Sequence, residues 1–143
     1  MFKQLLFIVI LGFFAATDTQ ANTQVISHPA LNNKQISALM LQRIYAMQVK
    51  NWADGTPVKV FVLPTKKSMH REFIVEHFAM APHKFDRLWK RLLFSGTGRG
   101  PQQVENQTEM IAKVSSTPGA IGYIAQPSDQ SLQTVQTVEV IHE

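Results

Sequence analysis

The run SSTPGAIGYI, residues 115–124, limits the fold more than any other part of the chain. Glycine is costly inside regular structure, so Gly119 and Gly122 mark a tight turn or a close backbone approach. The run reads as a sharp turn at Pro118-Gly119 feeding a short buried strand, Ala120 to Ile124. Other strand-like runs lie at Thr23–His28, closed by Pro29, at Val58–Pro64, and in the last stretch, QTVQTVEVI. Helical periodicity separates them. Strands that alternate with helices imply an α/β layer fold. The expectation is one mixed or mostly parallel sheet of four or five strands flanked by helices.

The helices have their own signals. Ile36, Leu39, Met40 and Met47 recur at helical spacing, with Asn32 or Asn33 as N-cap. NWADGTP is turn chemistry with Asp54-Gly55 at its tip. Ser68 is the natural N-cap of the next helix, whose Phe73, Ile74 and Phe78 face the core. Ala81-Pro82 breaks that helix and starts a third, because proline suits a first turn. Phe85, Leu88, Trp89, Leu92 and Leu93 form its apolar stripe. Asn106 and Glu109 form a capping-box-like start to a fourth, with Met110, Ile111 and Val114 inward.

A chain of 143 residues holds one modest domain. It has no cysteine, so the domain must stand on its apolar core. The beginning, MFKQLLFIVILGFFAATDTQA, has Lys3, an apolar run from Leu5 to Ala16, and small residues Thr19 and Ala21. That is the pattern of a secretory signal peptide, expected to be cut after Ala21. The apolar run falls well short of the ~20 residues that span a bilayer. The division is then a signal peptide, 1–21, and one periplasmic domain, 22–143. The formal net charge of +4 suits an anionic partner. Export argues against nucleic acid as that partner.

Two stretches could hold an anion. In LPTKKSMHRE a strand runs into a helix, whose free N–H groups and positive dipole end attract anions. Ser68 adds a hydroxyl there, Lys66 and Lys67 add charge, and Arg71 can reach back. In the bland reading, Ser68 only caps and the lysines are solvated. In FSGTGRGP the residues Gly96, Thr97, Gly98 and Arg99 can turn N–H donors and a guanidinium onto a ligand. The bland alternative is a connecting loop. It is not a Walker loop, since no Gly-Lys-Ser/Thr follows. His70, His77 and His83 lack metal-ligand spacing and read as surface histidines. No metal, cofactor or nucleophile–base arrangement is indicated, and nothing supports an enzyme.

Taken in order, QISALMLQRIYAMQVKNWADGTPVKVFVLP, SMHREF, LWKRLLFSGTGRGP and TPGAIGYI resemble the phosphate-binding proteins of bacterial ABC transporters, in particular their short versions. The W-x-D-G turn at Trp52–Gly55, the F-[ST]-G-x-G loop and P-G-A-I-G-Y carry the resemblance. It implies a single lobe of a type 2 periplasmic-binding-protein fold, with P-G-A-I-G-Y near the hinge and cleft floor. The implied ligand is a small oxyanion, phosphate first, held by Lys67, Ser68 and Arg71 with the Gly96–Arg99 loop on the same rim. A membrane permease or a second protein chain would be its partner. The chain departs from the family's R-x-D-G-S-G-T phosphate loop. In the matching stretch, Thr65 to His70, only Ser68 agrees, and Lys66 stands where the family has its phosphate-selective aspartate. The alternative is a one-lobe domain that has lost the pocket and serves as a periplasmic interaction module.

Overall fold

The computed structural model describes residues 23–96, 100–125 and 130–142. The expected signal peptide, and Thr97, Gly98 and Arg99, lie outside them. The chain runs β1 (Thr23–Ser27), β2 (Gln35–Ser37), α1 (Ala38–Tyr45), β3 (Lys59–Val62), α2 (Ser68–Phe78) and α3 (Pro82–Phe94). It continues through β4 (Gln102–Gln103), α4 (Gln107–Ser116), β5 (Ala120–Ala125), a 3-10 turn (Ser131–Gln133) and β6 (Gln136–Ile141).

One mixed sheet has the order β2-β6-β1-β5-β3-β4. Strand β1 is antiparallel to β5 and β6, while β3 is parallel to β5 and β4, and β2 to β6. The sheet thus has six strands, not four or five. The shortfall comes from its edges. β2 has three residues and β4 two, and short edge strands are too brief to show a period-2 pattern.

β2 also corrects the first helix. Ile36 is buried as the middle residue of that strand, not on a helix face. Helix α1 starts at Ala38, and its N-cap is Ser37 rather than Asn32 or Asn33. The Ser37 hydroxyl accepts from the Met40 N–H at 3.1 Å. Leu39 and Met40 are exposed, and Leu41, Ile44 and Tyr45 turn inward.

The PGAIGY run folds as expected, and the structure shows what approaches it. Gly119 has φ +77°, and a Cβ there would run into the Pro57 carbonyl. That carbonyl directly follows the turn closed by Trp52 N–H on Thr56 O at 2.8 Å, where Pro57 bridges back to Asn51. The Trp52 indole N–H donates to Gly119 O at 2.9 Å, so the W-x-D-G turn and the Pro-Gly turn are one locked unit. A Cβ on Gly122 would sit 2.6 Å from Met110 Sδ and 3.0 Å from Val114 Cγ2, both on α4. The smallness of that position admits a helix, not a ligand.

Helices α1, α2 and α3 pack around an aromatic cluster. Phe73 stacks on Tyr123 with ring centroids 3.9 Å apart, and Tyr45, Phe78, Phe85 and Trp89 surround the pair. Trp89 donates to Tyr45 O at 2.7 Å. In α3, Phe85 and Trp89 are buried and Leu88 and Leu92 partly so, whereas Leu93 is exposed. No helix among the described residues is long and apolar enough to cross a membrane.

Candidate functional site at the ends of the parallel strands

Strands β3, β4 and β5 run parallel, so their C-terminal ends share one edge of the sheet. In open α/β sheets that edge is where ligands bind. Two helices start there. Past β3, the Lys67 N–H bonds Pro64 O at 2.9 Å to form the turn into α2. Past β4, Val104 N–H extends the pairing to Val62 O at 2.9 Å, and α4 follows. The Gln107 side chain, first in α4, accepts from Ala125 N–H at the end of β5 at 3.0 Å.

The two helix starts differ. At α4, Asn106 Oδ1 accepts from Glu109 N–H at 2.9 Å, and Glu109 Oε2 accepts from Glu105 N–H at 2.7 Å. This is the reciprocal arrangement of a capping box, displaced by one residue on the return bond. At α2 the N-cap position is Lys67, which makes no side-chain capping bond. Ser68 is the first helical residue, not the cap, which corrects the sequence reading. The first intrahelical bond of α2 is Arg71 N–H to Lys67 O at 3.3 Å. The N–H groups before it have no partner within the helix. Lys66, Lys67, Ser68 and Arg71 are all exposed around this end.

Beneath it lies a buried polar network. Tyr123 Oη accepts from the Leu63 N–H at 2.9 Å and lies 2.6 Å from His70 Nδ1. The Tyr123 hydroxyl and His70 Nδ1 share one hydrogen bond, and His70 Nε2 is buried without a hydrogen-bond partner. Burial pushes the Tyr123 hydroxyl well above its ordinary pKa and lowers that of His70 to about 4, so both are neutral. The network fixes the β3–α2 connection to the centre of the sheet. His77 is buried too, beside Thr23 Oγ1 at 3.3 Å, and burial lowers its pKa. Of the histidines read as surface residues, His83 alone is exposed. His70 and His77 close aromatic gaps against Trp89 and Phe73. The clue in the sequence was the tyrosine in a buried strand, since a buried hydroxyl needs a partner. Among the described residues no group of His, Asp and Glu side chains could hold a metal.

Of the glycine-rich stretch, only its two ends, Gly96 and Gly100, are among the described residues, and both lie away from the start of α2. Because Gln102 pairs with Phe61 in parallel, the residues entering β4 lie beside the start of β3. Gly100 lines a cavity of about 320 Å³ there with Met47, Val49, Lys50 and Lys59. Ser68 lies beyond the other end of β3. Gly96, at φ +68°, faces open space after α3.

The family profile described as the PBP superfamily domain matches residues 14–141. No curated protein matches the chain. Several solved structures share the fold. An ABC-type phosphate transport receptor from Vibrio cholerae superposes with TM-score 0.63 at 13% identity, covering 82% of this chain and 45% of the receptor. PstS from Borrelia burgdorferi gives 0.59 at 17% identity, covering 82% and 46%. A Clostridium perfringens protein assigned as a phosphate ABC transporter substrate-binding protein, with phosphate bound, gives 0.56 at 20% identity, covering 82% and 44%. The chain therefore spans a little under half the length of each.

Proposed function

Because the chain belongs to the PBP superfamily domain family, we propose that it is an exported solute-binding lobe that takes a small oxyanion, phosphate first, at the start of α2. The observation that carries this reading is the uncapped N-terminus of α2, with Lys66, Lys67, Ser68 and Arg71 exposed around it. The bland reading of Ser68 needs it to cap, and its position as first helical residue removes that role. The backbone N–H groups and the Ser68 hydroxyl would donate to the anion's oxygens, and Lys67 and Arg71 would balance its charge. No proton transfer or bond making is involved, so this is a binding protein and not an enzyme. The expected signal peptide, removed after Ala21, accounts for delivery to the periplasm. Delivery onward to a membrane permease is the role borrowed from the structural relatives.

Lys66 in place of the family's aspartate removes the acceptor that would recognise a protonated phosphate. Phosphate and sulfate should therefore bind with similar affinity. On this lobe alone the anion would stay partly in water, where its charge interactions are screened. Titration calorimetry of the chain with phosphate and with sulfate tests this at low salt. Saturable heat, lost in Ser68→Ala/Arg71→Ala with the fold intact, supports the reading. Absence of both heat and thermal stabilisation at millimolar anion overturns it, since a ligand of the folded state must stabilise it. The second reading, an interaction module without ligand, is favoured by Lys66 at the family's aspartate position and by the absence of both loop glycines, and predicts the silent titration.

A further inference from the structure

Helix α3 has a second face that the anion site does not use. Phe85 and Trp89 are buried inward, with Leu88 and Leu92 beside them. On the opposite face lie Lys84, Arg87, Lys90 and Arg91, all exposed, and the same stripe ends at Phe94. Phe94 is 89% exposed and its neighbour Leu93 58%. The helix contains one acidic residue, Asp86, which is half-buried on the flank. Among the described residues the one ion pair within 4.0 Å is His77 with Glu76; Asp86 lies close enough to Lys90 to offset part of its charge, and Lys84, Arg87 and Arg91 form no ion pair with a carboxylate. The combined charge of the four cations equals the formal net charge of the whole chain, +4.

We propose that this face of α3 docks the protein on an anionic lipid bilayer, with Lys84, Arg87, Lys90 and Arg91 against the headgroups and Phe94 and Leu93 at the acyl boundary. The combination selects the occupant. A soluble anion would satisfy the cations and leave both apolar side chains in water. A neutral apolar partner would bury Phe94 and leave the cations without counter-charge. A bilayer rich in acidic lipid satisfies both, because basic side chains are drawn to its negative surface and aromatic rings are accepted at its interface. The proposal shares no residue with the site at α2, so either can fail alone.

The test is co-sedimentation of the chain, purified in the form that cells accumulate, with phosphatidylcholine vesicles with and without phosphatidylglycerol. Binding is expected to the acidic vesicles and to weaken with salt. Arg87→Gln and Arg91→Gln should each lower partitioning about fivefold, and together more than tenfold. Phe94→Ala should lower it several-fold without changing the salt dependence. Arg87→Lys/Arg91→Lys should retain binding. Equal binding to neutral and acidic vesicles overturns the proposal. So does an acidic preference that survives in Arg87→Gln/Arg91→Gln. Release by phosphate beyond that by chloride at equal ionic strength would assign the face to soluble anions and overturn it as well.

Discussion

Helices α2 and α4 begin at the same edge of the same sheet, yet they solve the problem of their unpaired N–H groups in opposite ways. α4 closes its own start with Asn106 and Glu109. α2 leaves its start open and surrounds it with cations. The difference follows from what holds each helix. α4 fully buries Met110 and Val114 and packs Ile111 partly against the sheet, and it adds a cap to that packing. α2 buries His70, Phe73, Ile74, His77 and Phe78, and Tyr123 ties its first turn to the sheet. A helix fixed by packing can leave its N-terminus free for a ligand.

The hardest way to break this comparison is to remove the packing that α2 relies on. Phe73 is fully buried and stacked on Tyr123. Phe73→Ala should cost about 3–5 kcal/mol, read by urea denaturation. Met110→Ala in α4 belongs to the same cost class, about 2–5 kcal/mol, because Gly122 was shaped around its sulfur. Equal losses would not disturb the argument. A loss below about 1 kcal/mol at Phe73 would, since packing would then not explain the open end.

Acid sharpens the same contrast, because α2 carries two buried histidines and α4 none. A histidine with a lowered folded-state pKa is protonated first in the unfolded chain, so its effect is absent above the unfolded pKa near 6.5. Stability is then lost as the pH falls from there toward about 4, where folded His70 also takes a proton. For His70 the loss is about 3 kcal/mol over that window. His77 acts in the same direction, since burial outweighs the attraction of Glu76. Urea midpoints at pH 7 and pH 5 should differ accordingly, and His70→Gln should flatten the difference.

These elements also show what could be read in advance. The core strand Ala120–Ala125, the proline break before α3 and the Asn106 cap were legible because each rests on residues a few positions apart. Ser37 was missed as a cap because Ile36 fits helical spacing while serving a three-residue edge strand. The buried histidines were missed because burial depends on partners far away in sequence, Tyr123 and Trp89 for His70, Thr23 and His142 for His77. The separation of Gly100 from Ser68 depends on the parallel register of β3 and β4. Short edge strands write almost nothing into the sequence, so that register was out of reach.

The next two changes swap the two helix starts. Asn106→Ala should cost about 1 kcal/mol by removing the cap of α4. Lys67→Asp should install one on α2 and stabilise the fold by roughly 0.5–1 kcal/mol. The same carboxylate would occupy the N–H groups offered to an anion, so phosphate should no longer raise the melting temperature. A gain in stability with phosphate stabilisation intact would place the anion elsewhere.

The smallest effect is the most diagnostic. Ser68 is exposed and does not cap, so Ser68→Ala should change stability by no more than about 0.5 kcal/mol. Asn106→Ala, the matched change at α4, should exceed it clearly. If the two cost the same, the Ser68 hydroxyl is helping to hold α2, and the helix starts differ less than their geometry says. If Ser68→Ala is silent in urea yet weakens the response to phosphate, the hydroxyl is there for the ligand and the open end of α2 is a binding site.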